Sequence, residues 1–148
     1  MRFHLIDRID AYEPARSVRA RKLTSWSENY WDSSDPDPLM PPPLVLEALL
    51  QAGTWLIVLS TSGRKRAALA AIGSVAFIGD VRPGDVLAVE GQVETMTEEA
   101  AVLSGIVTVD GREVLRAREV MCVLLDAGDL EADQATQQMA ALLTRSEA

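Results

Sequence analysis

The chain has 148 residues, 48% of them hydrophobic, with 14 Lys and Arg against 22 Asp and Glu for a net charge of −8. That length suits one compact domain over residues 1–148, with an apolar share sufficient for a core without metal or disulfide staples. The acidic balance and the 5% aromatic content argue against nucleic-acid binding, which needs a concentrated basic field or a stacking platform.

In chain order, residues 1–10 mix Arg2, His4, Asp7 and Arg8 with apolar residues and hold no apolar h-region, so no signal peptide is expected. Residues 3–9 read as a lead-in segment and Glu13-Pro14-Ala15 as a turn. Ser17 to Leu23 alternates as a strand with Arg19 and Arg21 on one face. Ser25, with Glu28 three residues on, carries the capping-box pattern for a short helix through Tyr30. Residues 32–43 form a loop, because five prolines remove five backbone donors and Asp and Ser favour turns.

A helix over about residues 43–60 follows, with Pro42 or Pro43 in its first turn, where missing N–H groups do little harm. It is apolar on most sides and therefore buried, but Glu47, Gln51 and Thr54 recur at i, i+4 and i+7 and form one polar stripe. Glu47 and Gln51 interrupt the run from Leu44 to Leu59, which is shorter than the roughly 18–20 residues of a membrane span. Ser62-Gly63-Arg64-Lys65-Arg66 reads as the helix end, with a glycine and three cations.

The remainder is strand-like. Ala68 to Ile78, Val86 to Met96, Ala101 to Val109 and Glu113 to Leu125 are separated by an Arg82-Pro83-Gly84-Asp85 turn and an Asp110-Gly111 type I′ hairpin signal. The lone Cys122 lies among Val120, Met121, Val123 and Leu124; it excludes a disulfide framework, reads as a core residue and fits a reducing, cytoplasmic setting. Residues 127–148 either add a C-terminal helical extension, with Leu130, Met139, Leu142 and Leu143 on an amphipathic helix over 129–144, or fray. One buried helix and several antiparallel strands predict an α+β sheet curled around that helix.

Several strings resemble the 3-hydroxyacyl-acyl-carrier-protein dehydratases of the FabZ and FabA type. Leu5-Ile6-Asp7-Arg8-Ile9 resembles their opening "L-V-D-R-V". Pro38-Leu39-Met40-Pro41, followed by Leu44 to Ala52, resembles their "P-V-M-P-G-x-L-I-I-E-A-M-A-Q". Arg82-Pro83-Gly84-Asp85 resembles their "V-P-G-D" turn, and Glu119-Val120-Met121-Cys122 their last strand. The resemblance spans residues 3–125 in the right order. It implies a dimeric hotdog fold, a curled antiparallel sheet of six or seven strands wrapped around one central helix. It also implies a histidine in a "G-H-F-P" turn as general base, and a helix carboxylate that assists departure of the 3-hydroxyl. Backbone N–H groups, including that of the "M-P-G" glycine, would hold the thioester oxygen. Histidine and carboxylate would come from opposite subunits.

Carried onto this chain, the carboxylate is Glu47 and its neighbour Gln51 is kept. The histidine position is Ser33 and the glycine position is Pro42. A serine hydroxyl is no base near neutral pH, and proline has no N–H to give an oxyanion. Such losses lower rates by about 10²–10⁴ for a base and 10²–10³ for an oxyanion donor. The only histidine, His4, aligns with a leucine of the family pattern and takes no site role in this reading.

Glu47 is either a carboxylate satisfied by Gln51 or a backbone N–H, or the acid of a pocket, and the family context favours the pocket. Asp32, Asp35 and Asp37 match no metal loop and read as a solvated turn; as substitute bases they would be weak. Gln51 and Trp55 are candidate substrate contacts, while Trp26, Trp31 and Trp55 read first as core or interface anchors. Arg64, Lys65 and Arg66, with Arg82, are the candidate dock for an acidic acyl carrier protein.

These readings point to a protein that binds carrier-protein or CoA thioesters in fatty-acid or polyketide-type synthesis. Dehydratase activity of the protein alone is expected to be weak or absent, as a homodimer or as partner of an active dehydratase. The alternatives are a hotdog thioesterase or enoyl isomerase resting on Glu47, and a purely structural subunit. No metal or other cofactor is called for.

Overall fold

The computed structural model describes residues 4–129 and 133–145. Strands β1 (Arg8–Glu13) and β2 (Ser17–Leu23) precede helix α1 (Pro42–Ser60). Strands β3 (Lys65–Phe77), β4 (Val86–Met96), β5 (Ala100–Val109) and β6 (Arg112–Asp126) follow, then helix α2 (Asp133–Leu143). The six strands form one antiparallel sheet in the order β1-β2-β4-β5-β6-β3. The connection through α1 therefore carries the chain across the sheet and leaves β3 as an edge strand.

Local chemistry fixes the turns. Asp110 and Gly111 have φ of 50° and 76°, the two positive values that a type I′ hairpin requires. At Arg82–Asp85 the Asp85 N–H donates to the Arg82 carbonyl at 3.0 Å, and Gly84 takes the positive φ of 95°. Strand β2 alternates as read, with Val18, Ala20 and Lys22 buried and Arg19 exposed.

Two local expectations are corrected. Residues 25–30 form turns instead of a helix. The Glu28 carboxylate that a capping box needs accepts from Lys22 Nζ at 2.7 Å, and Ser25 Oγ lies 2.7 Å from Ser27 Oγ. Six residues with their cap engaged elsewhere cannot nucleate a helix. At the end of α1 the last turn carries no base, because Lys65 and Arg66 already belong to β3. Ser62 takes the left-handed conformation at φ 52°, and Gly63 N–H donates to the Val58 carbonyl at 2.9 Å, a Schellman closure. The C-terminal extension does form a helix, with Leu143 buried and Leu142 exposed; Leu130 lies outside the described residues.

The core sits between α1 and the inner sheet face. Ala48, Ala52, Leu56 and Ile57 of α1 are fully buried against Leu87, Val107 and Leu115 of the strands. Small residues bring the helix close: a Cβ on Gly105 of β5 would stand 2.5 Å from Leu49 Cδ1 and 2.6 Å from the Glu90 carbonyl oxygen. By length and composition α1 could cross a membrane, yet here it is the core helix of a curled sheet.

Candidate functional site

The polar stripe of α1 is the natural origin of a site. Residues 47, 50, 51 and 54 share one helix face, spaced by three and four. Gln51 organises the stripe's first half: its Nε2 donates to Glu47 Oε1 at 3.2 Å, and its Oε1 accepts the Leu5 N–H at 2.7 Å. Glu47 is half-buried, so its carboxylate is satisfied on one side and reachable on the other. One turn on, Thr54 Oγ1 donates to the Leu50 carbonyl at 3.0 Å, and both residues line an apolar cavity closed by Gly53, Leu69, Leu103 and Cys122.

That cavity measures about 40 Å³, room for a few water-sized groups. Leu69, in its wall, belongs to the edge strand β3 and is half exposed. The stripe that begins at Glu47 thus runs to a small apolar pocket beside the open edge of the sheet. Sequence reading missed Leu50, Gly53 and Leu69; the spacing of Leu50 between Glu47 and Thr54 was the signal available for it. Cys122, read as core, is half-buried in this wall, and burial pushes its thiol pKa up. Trp55 packs half-buried against the core, as does Trp31, whose Nε1 donates to the Ser25 carbonyl at 2.7 Å. Trp26 is 65% exposed and is no core anchor, because it stands in the turn after β2.

The other expected positions differ in kind. Ser33 is exposed in a turn, where Asp32 Oδ1 accepts both the N–H and the hydroxyl of Ser34 at 2.9 and 2.6 Å. Those two bonds hold the Asp32 carboxyl below its ordinary range, which makes it a poorer base still. Asp35 Oδ1 accepts the Asp37 N–H at 2.9 Å, and Asp37 Oδ1 accepts Arg82 Nε at 2.9 Å, so the three aspartates stitch the loop together.

At the start of α1, Pro41 is the N-cap and Pro42 and Pro43 occupy the first turn. The helix end therefore lacks the leading N–H donors that normally make such a terminus attract negative charge. Pro42 instead walls a small apolar cleft with Met40, Val45 and Phe77.

The four cations do not form one patch. Arg64 lies 3.7 Å from Glu98, and Lys65 lies 2.8 Å from Asp126. Arg66 turns inward, its Nη1 donating to the Gly63 and Lys65 carbonyls at 2.9 and 3.0 Å. Arg82 stands beyond the far end of β3, paired with Asp37 at 2.9 Å and Asp80 at 3.8 Å.

Comparison with known proteins agrees with this picture. The FabA-like domain model matches residues 1–118. A 3-hydroxyacyl-[acyl-carrier-protein] dehydratase FabZ from Neisseria meningitidis serogroup C is 35% identical over 124 residues, 81% of this chain and 83% of the relative. Among solved structures, a Streptococcus mutans protein bound to acetyl CoA aligns with a TM-score of 0.64 at 14% identity, over 85% of this chain and 92% of that one. A subunit of a dehydratase heterocomplex from Xenorhabdus doucetiae aligns at 0.57 and 13% identity, over 73% and 88%. These two structures support the fold, and the family follows from the domain match and the identity: the chain belongs to the FabZ/FabA dehydratase family of hotdog proteins.

Proposed function

We propose that the protein binds acyl thioesters of a carrier protein or CoA between the polar stripe of α1 and the edge of β3, in a cytoplasmic biosynthetic pathway. A second hotdog subunit completes the site. The observation that carries this reading is Glu47, fixed by Gln51 at 3.2 Å, on the stripe that leads to the apolar cavity at the open sheet edge. Strand β3 supports the second subunit. It is 13 residues long, bears no charge from Ala67 to Phe77, and exposes Leu69 and Phe77. An apolar edge of that length pairs with another strand unless something blocks it.

Acting alone, the protein is a poor dehydratase. Ser33 offers no base, and Pro42 and Pro43 strip the helix end of donors. Glu47 is then best used in a heterodimer whose partner brings the histidine and the oxyanion donors. Each pocket of such a pair draws base and acid from opposite subunits, so this chain serves one pocket and its own Ser33 turn stays idle. The likeness to one subunit of a dehydratase heterocomplex favours this arrangement over a homodimer. Of the cations, Arg64, 62% exposed and 3.7 Å from its acidic partner, is the best placed to meet an acidic carrier.

The test is to incubate the protein, alone and co-purified with a histidine-bearing relative, with 3-hydroxyacyl and enoyl carrier-protein thioesters and to follow their mass. The heterodimer should convert them and lose most of that activity with Glu47→Gln, while the protein alone turns over at least 10²-fold more slowly. An active heterodimer indifferent to Glu47→Gln would reduce the chain to a scaffold, and release of free acid would favour a thioesterase.

A further inference from the structure

The outer face of the sheet, opposite α1, carries a charge pattern that the thioester site does not use. One cross-strand row runs from Arg19 on β2 through Glu90 on β4, Ile106 on β5 and Arg116 on β6 to Ala76 on β3. Glu90, Ile106 and Arg116 line a trough of about 610 Å³, with Glu94 further along its β4 wall and Arg118 along its β6 wall. Glu90 and Arg116 stand two strands apart, about 10 Å, too far for one to neutralise the other. Arg116 is braced by Glu113, which accepts from its Nε and Nη2 at 2.6 and 3.1 Å, and Nη1 lies outside that pair. A bulge in β6 sets Arg118 and Glu119 against the single Ser104 of β5, and both are exposed. Glu119 holds φ at 52°, a left-handed conformation that a non-glycine residue keeps only where its surroundings impose it.

The row is self-complementary. A two-fold axis running along β5 between two facing sheets keeps each row level and exchanges its two sides. Glu90 then faces the second copy's Arg116, Arg116 faces its Glu90, and Ile106 meets Ile106 on the axis. Arg19 falls opposite Ala76, so the long side chain at one end of the row meets the short one at the other. Facing sheets pack about 10 Å apart, a gap that one charged side chain from each can span.

We propose that this outer face docks a second copy of the chain, sheet against sheet about β5, with the acidic and basic columns exchanged across the contact. The contact leaves α1, its cavity and the β3 edge free, and it does not depend on the thioester-binding reading. Its ion pairs are open to water and screened by salt, so the dissociation constant is on the order of 10⁻⁴ M at low ionic strength. At micromolar concentration the outer faces stay apart.

The experiment is sedimentation equilibrium of the full chain carrying Leu69→Glu, which removes pairing through the β3 edge, at about 200 μM protein in about 20 mM and about 500 mM salt. Low salt should double the mass, and high salt should return it to that of one chain. Glu90→Arg and Arg116→Glu, each alone, set like charges face to face and should weaken association about tenfold. Mixed in equal amounts, the two variants should pair to within about threefold of the parent affinity, because each charge then meets its opposite. Neighbours within each chain, Arg19 beside position 90 and Glu113 beside position 116, are the same in the mixture as in the separate proteins. Recovery therefore comes only from contact between copies. If circular dichroism shows either variant unfolded, Ile106→Glu takes its place; two carboxylates on the axis should abolish the doubling. A single chain's mass in low salt, a mixture that pairs no better than its components, or a folded Ile106→Glu that still doubles overturns the proposal.

Discussion

The two edges of the sheet are built to opposite rules. Strand β1 is six residues long, carries Arg8, Asp10 and Glu13, and has a register shift between Ile9 and Ala11. Short length, charge and a bulge are the devices that keep an edge from pairing. Strand β3 is 13 residues long and uncharged from Ala67 to Phe77, and it leaves Leu69 and Phe77 half exposed. The polar stripe of α1 opens toward this second edge through Thr54 and Leu69. One edge is guarded against pairing and the other is open, and the candidate site lies at the latter.

The largest effect is expected from breaking that asymmetry. Leu69→Glu puts a carboxylate on the pairing edge, where burying it unpartnered in an interface is prohibitive. Sedimentation should show the wild type as a dimer, or as a heterodimer when co-expressed, and the variant as a monomer. Its dissociation constant should be weakened by about 10³-fold, or roughly 4 kcal/mol. Tyr12→Glu, a comparable change on β1 at a side chain 41% exposed, should leave association within twofold. A wild type that stays monomeric at micromolar concentration would show that β3 is covered by some other means.

Between the edges, the helix must lie close to the sheet for the stripe to reach the rim. Gly105→Ala forces a methyl against Leu49 and against the Glu90 backbone, and the backbone cannot yield as a side-chain tip can. Chemical denaturation should show a loss of about 1–3 kcal/mol. Gly84→Ala, in a turn with open space around it, removes only the residue suited to φ 95° and should lose less.

Near β1, the loop over residues 24–41 is tied down by charge as well as by apolar packing of Tyr30, Trp31 and Met40. Lys22, 7% exposed in its side chain, points to the inner face and meets Glu28 at 2.7 Å and Asp7 at 3.6 Å. Glu28→Gln leaves the buried ammonium with its weaker partner and should lower stability by about 1–2 kcal/mol. Glu13→Gln, which breaks the exposed pair with Arg16 at 3.4 Å, should have no measurable effect.

Much of this fold is legible in the sequence because its signals are local. The bounds of β2 and β4, the Asp110-Gly111 hairpin and the span of α1 follow from alternation, turn chemistry and helical spacing. The helix expected at 25–30 was not legible, since the partner that took Glu28 from its cap, Lys22, lies on another element. The site divides the same way. Glu47 and Gln51 announce themselves by their spacing on α1. The Leu5 N–H that holds Gln51 comes from 46 residues away, and Leu69 and Cys122 meet the stripe only after the sheet has curled. The four-cation dock failed as a single patch for a similar reason, as β3 separates Arg82 from Arg64 by about 40 Å of strand.

The smallest expected effect uses Cys122 to read the β3 edge from inside. Cys122 pairs in register with Leu69, and both line the cavity. Burial raises its thiol pKa, because a thiolate there loses solvation, so less of the reactive form exists at pH 8 than for a free cysteine. The folded pKa lies above the unfolded one. The corresponding stability is therefore whole below the unfolded thiol range near pH 8.5 and declines as pH rises through the higher folded value. Iodoacetamide should label Cys122 in the wild type more slowly than an exposed thiol, with a rate that keeps rising above pH 9. A second subunit on β3 would deepen the burial, so the Leu69→Glu monomer should label faster than the wild type at the same pH. Equal rates in the two proteins, with sedimentation showing one dimeric and the other monomeric, would mean that the partner strand does not cover this wall. The cavity beside Thr54 would then open to solvent in the assembled protein as it does in the single chain.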